Sequence, residues 1–128
     1  MNTKLLLAAS AAFMALLGLA ATFAPQEIAA RAGVPAASAL AHLAVQTAGA
    51  LYLGFAANNW MVKHIPTGGI YNRPLALGNL LHFSVAAIAM AKAIAGGHRD
   101  AVLIAVALIY AAFAVAFTLV VFGSPTKK

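Results

Sequence analysis

The chain contains no cysteine. That excludes disulfides, thiolate nucleophiles and cysteine-ligated metals, and it leaves the redox compartment unread. Acid is almost missing too: Glu27 and Asp100 are the two carboxylates in 128 residues. Neither lies inside an apolar run, so a hydrolytic dyad has no carboxylate partner at depth. No His-x-x-x-His or Glu-x-x-His spacing occurs, so a metal site is not expected. Charged residues of both signs make up 8% of the chain. A soluble domain carries roughly a quarter, so an ordinary soluble fold is excluded.

What remains is apolar. Hydrophobic residues make up 64% of the sequence, and the mean hydropathy is +0.94. The few charges are confined to short intervals. None falls in 5–24, 34–62, 74–91 or 101–125. A hydrocarbon core of about 30 Å takes roughly 20 helical residues to cross, and each gap approaches or exceeds that length. Backbone amides in lipid must pair within their own segment, which predicts helices; the alternation of a barrel is not visible. The expected fold is therefore an all-α integral membrane bundle of four antiparallel transmembrane helices, about 4–24, 37–63, 73–95 and 100–122. It forms one domain over residues 1–128. The opening stretch MNTKLLLAASAAFMALLGLAATFA has the look of a signal peptide, but its apolar run exceeds the usual core of 7–15 residues. It is expected to be a retained helix.

Basic residues set the expected orientation. With four spans both termini share a side with the 64–72 loop. That side collects Lys4, Lys63, Arg73, Lys127 and Lys128. The other holds Arg31, Arg99, a snorkelling Lys92 and both acids. The termini are thus expected in the cytoplasm. A net charge of +6 suggests nucleic acid at first sight. The basic residues sit at helix ends, however, where anionic lipid headgroups are the simpler partner.

Between the runs lie three connections. PQEIAARAGVP has Pro25 at a helix start and Gly33 and Pro35 as stops, predicting a short interfacial helix. HIPTGGIYNRP contains a Gly68-Gly69 turn, with Asn72 placed to cap the third span and Pro74 in its first turn. GGHRD is a tight turn; its HRD matches a kinase loop in a chain too small for a kinase. Small residues four apart, such as Ala8 and Ala12 or Ala107 and Ala111, favour close helix packing.

Polar side chains concentrate in the middle two spans. At 100° per residue, His42, Val45, Gly49, Tyr52, Ala56, Asn59 and Lys63 share one stripe, and Asn72, Leu75, Asn79, His82, Ala86 and Ala93 another. Asn58 points some 100° from Asn59, and Trp60 lies near the interface. Measured from one end at about 1.5 Å per residue, Asn59, Asn79, His82 and Tyr52 fall roughly 6, 9, 13 and 16 Å deep. These four are the candidate ligand-binding residues, with the middle spans facing each other and the outer spans flanking them. The bland reading is helix–helix glue, worth about 0.6 kcal/mol per hydrogen bond. His42 and Gln46 form a second polar spot. Paired histidines suggest haem, but His42 and His82 differ in depth by roughly 10 Å or more, so no cofactor is expected. His64 and His98 lie in loops and are expected to be solvated.

The stretches FAPQEIAARAG, GALYLGFAANNWMVK and GGIYNRPLALGNLLHF resemble uncharacterised small bacterial four-helix membrane proteins, DoxX-like in layout. The resemblance implies a multi-pass protein of the bacterial inner membrane and transfers no catalytic residue. Small multidrug transporters carry an acid in their first helix, fluoride channels an Arg-bearing one, and sterol isomerase-like proteins intramembrane acids; none stands here. The expected role is non-enzymatic: an accessory subunit of a larger membrane complex, or a binder of a lipid-like ligand. Membrane lipids and a larger complex or homo-oligomer are the expected partners, with no nucleic acid. An isomerase or transferase on a lipid or isoprenoid is the alternative, using His82 as acid/base with Tyr52, Asn59 and Asn79 as donors. A small channel or transporter ranks third, because no charge lines a path.

Overall fold

A computed structural model describes residues 2–34, 38–65 and 72–123. Five helices account for nearly all of them: α1 Thr3–Phe23, α2 Pro25–Arg31, α3 Ala39–Val62, α4 Asn72–Ala95 and α5 Ala101–Phe122. Four of these, all but α2, are long and apolar enough to cross a membrane. At 1.5 Å per residue they measure about 31 to 36 Å. The predicted spans match to within about two residues at each end.

Local chemistry explains the boundaries. Asn2 caps α1 by accepting from Leu5 N at 3.2 Å, and Ser38 caps α3 through Ala41 N at 3.2 Å. Asp100 caps α5 by accepting from Val102 N and Leu103 N at 3.0 and 3.1 Å; its charge also suits a helix N-terminus. Pro25 opens α2, where a missing N–H costs nothing. Two helices end alike. Val34 N donates to Ala29 O and Gly33 N to Ala30 O; His98 N donates to Ala93 O and Gly97 N to Ile94 O. Each is a Schellman motif, which needs a left-handed residue just past the helix. Gly33 at φ +80° and Gly97 at φ +106° supply it. The expected short helix after Pro25 and the GGHRD turn therefore appear in the backbone; the Gly68-Gly69 turn and Pro35 lie outside the described residues.

Packing divides the chain into two compact units, Met1–His64 and Ile65–Lys128. In the first, α1 lies along α3 and α2 touches both. The buried residues of α1 are Leu7, Ser10, Ala11, Met14, Gly18 and Ala21. Leaving Ser10 aside, their spacing alternates four and three, the seam of left-handed helix packing. On α3 the predicted stripe from His42 to Lys63 is covered at every position, with Gly49, Ala56 and Asn59 fully inside. Contacts between the helices run in opposite order: Thr22 meets Gln46, Gly18 meets Leu53, and Ser10 meets Asn59. The expectation that the first span merely flanks the polar ones is corrected here. Some 39% of the α1 span is buried against 11% for α3, so the first span is the more enclosed of the pair.

In the second unit α4 packs on α5 around Phe83, Tyr110 and Phe117, all essentially inaccessible. Elsewhere large apolar side chains face outward, among them Leu16, Leu40, Met61, Ile88, Leu108 and Phe122. That surface is what a helix needs in lipid, where an apolar exterior carries no cost.

Candidate functional site

The crossing of α1 and α3 is set by two glycines. A side chain on Gly49 would stand 2.6 Å from Thr22 Oγ1 and 2.9 Å from Thr22 N. One on Gly18 would meet Leu53 Cγ at 2.8 Å and Gly49 O at 3.0 Å. The backbones thus approach as closely as small residues permit. The close approach uses Gly18 and Gly49 rather than the Ala-xxx-Ala pairs picked from the sequence. Beside it, Gln46 Nε2 donates to Thr22 O at 3.3 Å. Half of the second polar spot is therefore spent on joining the two helices. His42, four residues earlier on α3, is partly covered.

Further along the same seam, Asn59 is fully buried and Asn58 is exposed, as their 100° separation predicts. Asn59 Nδ2 donates to Ser10 Oγ at 3.0 Å, and Ser10 Oγ donates to Leu7 O at 3.0 Å. A buried amide needs such a partner, since leaving it unmade costs about 1–3 kcal/mol. Ser10 is the residue that sequence reasoning missed. Its signal was position: it lies on the Leu7–Met14 seam, the one hydroxyl in the apolar run from Leu5 to Ala21. Tyr52, two turns before Asn59, is partly covered.

The remaining two predicted residues belong to the second unit. Asn79 is fully buried, and its Nδ2 donates to Leu75 O at 3.0 Å, one turn back on α4. His82 lies among aromatic rings, with Phe83 at 5.2 Å edge-on and Tyr110 at 5.5 Å between centroids. Phe83 extends the cluster: Tyr110 packs edge-on at 5.2 Å, Phe113 stacks at 4.8 Å and Phe117 at 5.7 Å. Offset and edge-on pairs of this kind add about 0.5–1.5 kcal/mol each beyond area. The aromatic core was also missed, although Tyr110, Phe113 and Phe117 recur at helical spacing. Asn72, expected as a cap, is the first residue of α4 and donates from Nδ2 to Ile65 O at 3.1 Å. It ties the helix start to the chain before it.

At the far end of the first unit, Lys63 closes α3 as its C-cap residue. Its Nζ stands over the ring of Trp60, an exposed indole. A cation there is attracted by the ring face. Partial desolvation first, and the nearby charge of Lys4 second, hold the Lys63 ammonium below the usual lysine range.

These features define a helical protein whose four long helices have the length and composition of membrane spans. Set against protein-family models, curated proteins and solved structures, the chain matches none.

Proposed function

We propose that this chain is a four-span protein of a bacterial inner membrane. Its long helices alternate in direction, both termini lie in the cytoplasm, and residues 1–128 act as one domain. Its role is non-enzymatic: it is an accessory subunit that packs against lipid and against a larger membrane complex. The charge-free spans and the basic residues at their ends support the membrane placement. One observation carries the role. The amides of Asn59, Gln46 and Asn79 each donate to a hydroxyl or carbonyl of the protein's own helices, while large apolar side chains look outward on all four spans. Asn59 and Gln46 join α1 to α3 and Asn79 bonds within α4, so these amides serve the scaffold, and an apolar exterior is the surface a membrane partner reads.

Cross-linking in native membranes, followed by extraction in a mild detergent, tests this reading. The expected product is a complex of the chain with larger membrane proteins. A chain recovered alone, or only with copies of itself, would sink the accessory role. One observation favours the enzymatic alternative, an isomerase or transferase on a lipid or isoprenoid: the His82 imidazole and the Tyr110 phenol lie side by side within the spans. If that alternative holds, His82→Gln and Tyr110→Phe each abolish turnover of an isoprenoid substrate while leaving the fold intact.

A further inference from the structure

We infer that the end of the first unit, where α1 begins and α3 finishes, binds the phosphate of an anionic lipid headgroup between Lys4 and Lys63, with Trp60 beneath Lys63. The inference rests on the membrane reading above. Its geometry starts at the Asn59–Ser10 hydrogen bond, which pins the two helices at one level. Lys4 lies six residues before Ser10 and Lys63 four residues after Asn59, a rise of about 9 Å on one helix and 6 Å on the other. Both lysines therefore lie at the same end, Lys4 in the first turn of α1 and Lys63 just past the last residue of α3.

Nothing in this unit neutralises them. Its one carboxylate, Glu27, lies in α2, past the opposite end of α1. The positive end of the α1 dipole and the negative end of the α3 dipole meet at this end and offset one another, so the two ammonium charges set its sign. Two like charges at one end repel, and the Lys63 ammonium is lowered first by desolvation and second by the charge of Lys4. An anion between them reverses the sign of the interaction. A phosphodiester offers the oxygens that two ammonium groups, with three donors each, can share. Trp60 selects the source of that phosphate. It is exposed on the side wall and placed at the span's edge, where indoles sit at headgroup level. A lipid phosphate arrives at that depth with its glycerol against the ring; a free phosphate brings nothing for the ring to touch.

Trp60 is also the single tryptophan, so its fluorescence reports on this site alone. The test uses the full chain in nanodiscs of phosphatidylcholine with increasing phosphatidylglycerol. The expected result is a saturable rise in emission as Lys63 leaves the ring for the phosphate. Lys4→Gln shifts the midpoint about five-fold to higher phosphatidylglycerol, the equivalent of about 1 kcal/mol for one lysine near an anionic surface. Lys92→Gln, on α4, leaves it unchanged. Inorganic phosphate added to pure phosphatidylcholine discs leaves the emission flat. An emission that ignores phosphatidylglycerol, a Lys4→Gln midpoint equal to the native one, or an equal response to inorganic phosphate each overturns the headgroup site. If the chain fails to enter the discs at all, the membrane reading falls and takes the site with it.

Discussion

Replacing Gly49 by alanine tests the α1–α3 crossing directly. The new Cβ would lie 2.6 Å from Thr22 Oγ1, 2.9 Å from Thr22 N and 3.0 Å from Ala21 Cβ. The hydroxyl can turn away, though a β-branched side chain has few rotamers to choose from. The backbone nitrogen cannot turn. Heavy atoms settle at about 3.5 Å or more, so the helices must part by roughly half an ångström at this point. A gap of about 0.5–1 Å already loses a quarter to a half of the dispersion well for the atoms lining it. Overpacking of this kind costs about 1–3 kcal/mol. Against it stands the helix preference of alanine over glycine, about 1 kcal/mol. Gly54 isolates that second effect, because a Cβ there meets nothing within 4 Å. The quantity to measure is therefore the difference between Gly49→Ala and Gly54→Ala. Reversible unfolding by SDS in mixed micelles, followed by circular dichroism, should place Gly49→Ala about 1–3 kcal/mol below Gly54→Ala. Gly18→Ala should fall between them, since its nearest neighbours are the movable Cγ and Cδ2 of Leu53. Adding Leu53→Ala should lessen the penalty that Gly18→Ala imposes. Equal stabilities for Gly49→Ala and Gly54→Ala would refute the close crossing.

Ser10→Ala removes the acceptor of a buried amide and should cost about 0.6–1.7 kcal/mol in the same assay. A double-mutant cycle with Asn59→Ala should show coupling of that order, and additive losses would deny the bond. Phe83→Ala empties the centre of the α4–α5 core and should cost about 3–5 kcal/mol; a loss under 1 kcal/mol would mean those rings do not pack as described. Asp100→Ala should lower stability by about 1 kcal/mol through loss of the α5 cap, whereas Asp100→Asn should cost less. In an alkaline titration, Trp60 emission should change with a midpoint below the ordinary lysine value of 10.5. Because the folded state favours the neutral amine, stability should rise with pH between that midpoint and 10.5. Lys63→Gln should abolish both effects, and a midpoint at 10.5 would contradict the partial desolvation of Lys63 and its nearness to Lys4.

Much of the fold was legible because lipid imposes a simple rule. Charge cannot enter the span cheaply and backbone amides must pair locally, so charge-free runs mark helices and their lengths. The ends were legible for a similar reason: Pro25, Gly33 and Gly97 each act through backbone restrictions that do not depend on the rest of the chain. The stripe from His42 to Lys63 was also readable, since 100° per residue holds wherever a helix forms. What faces a stripe is another matter. Gly49 and Asn59 meet α1, and Asn59 finds Ser10 there, a pairing across 49 residues of chain. Helical periodicity says which side chains share a face and is silent about which helix comes to cover it.

The sequence by itself determined the number and length of the apolar helices, the Pro and Gly that bound them, and the concentration of basic residues at their ends, because each follows from local backbone restrictions and the cost of charge in lipid. Only the tertiary structure decided that α1 is the most buried span, that Gly18 and Gly49 set its distance from α3, that Phe83 centres a ring cluster with α5, and that Lys63 lies over Trp60. Those outcomes depend on how surfaces of similar composition fit together, and many apolar helices are alike in composition while few are alike in shape.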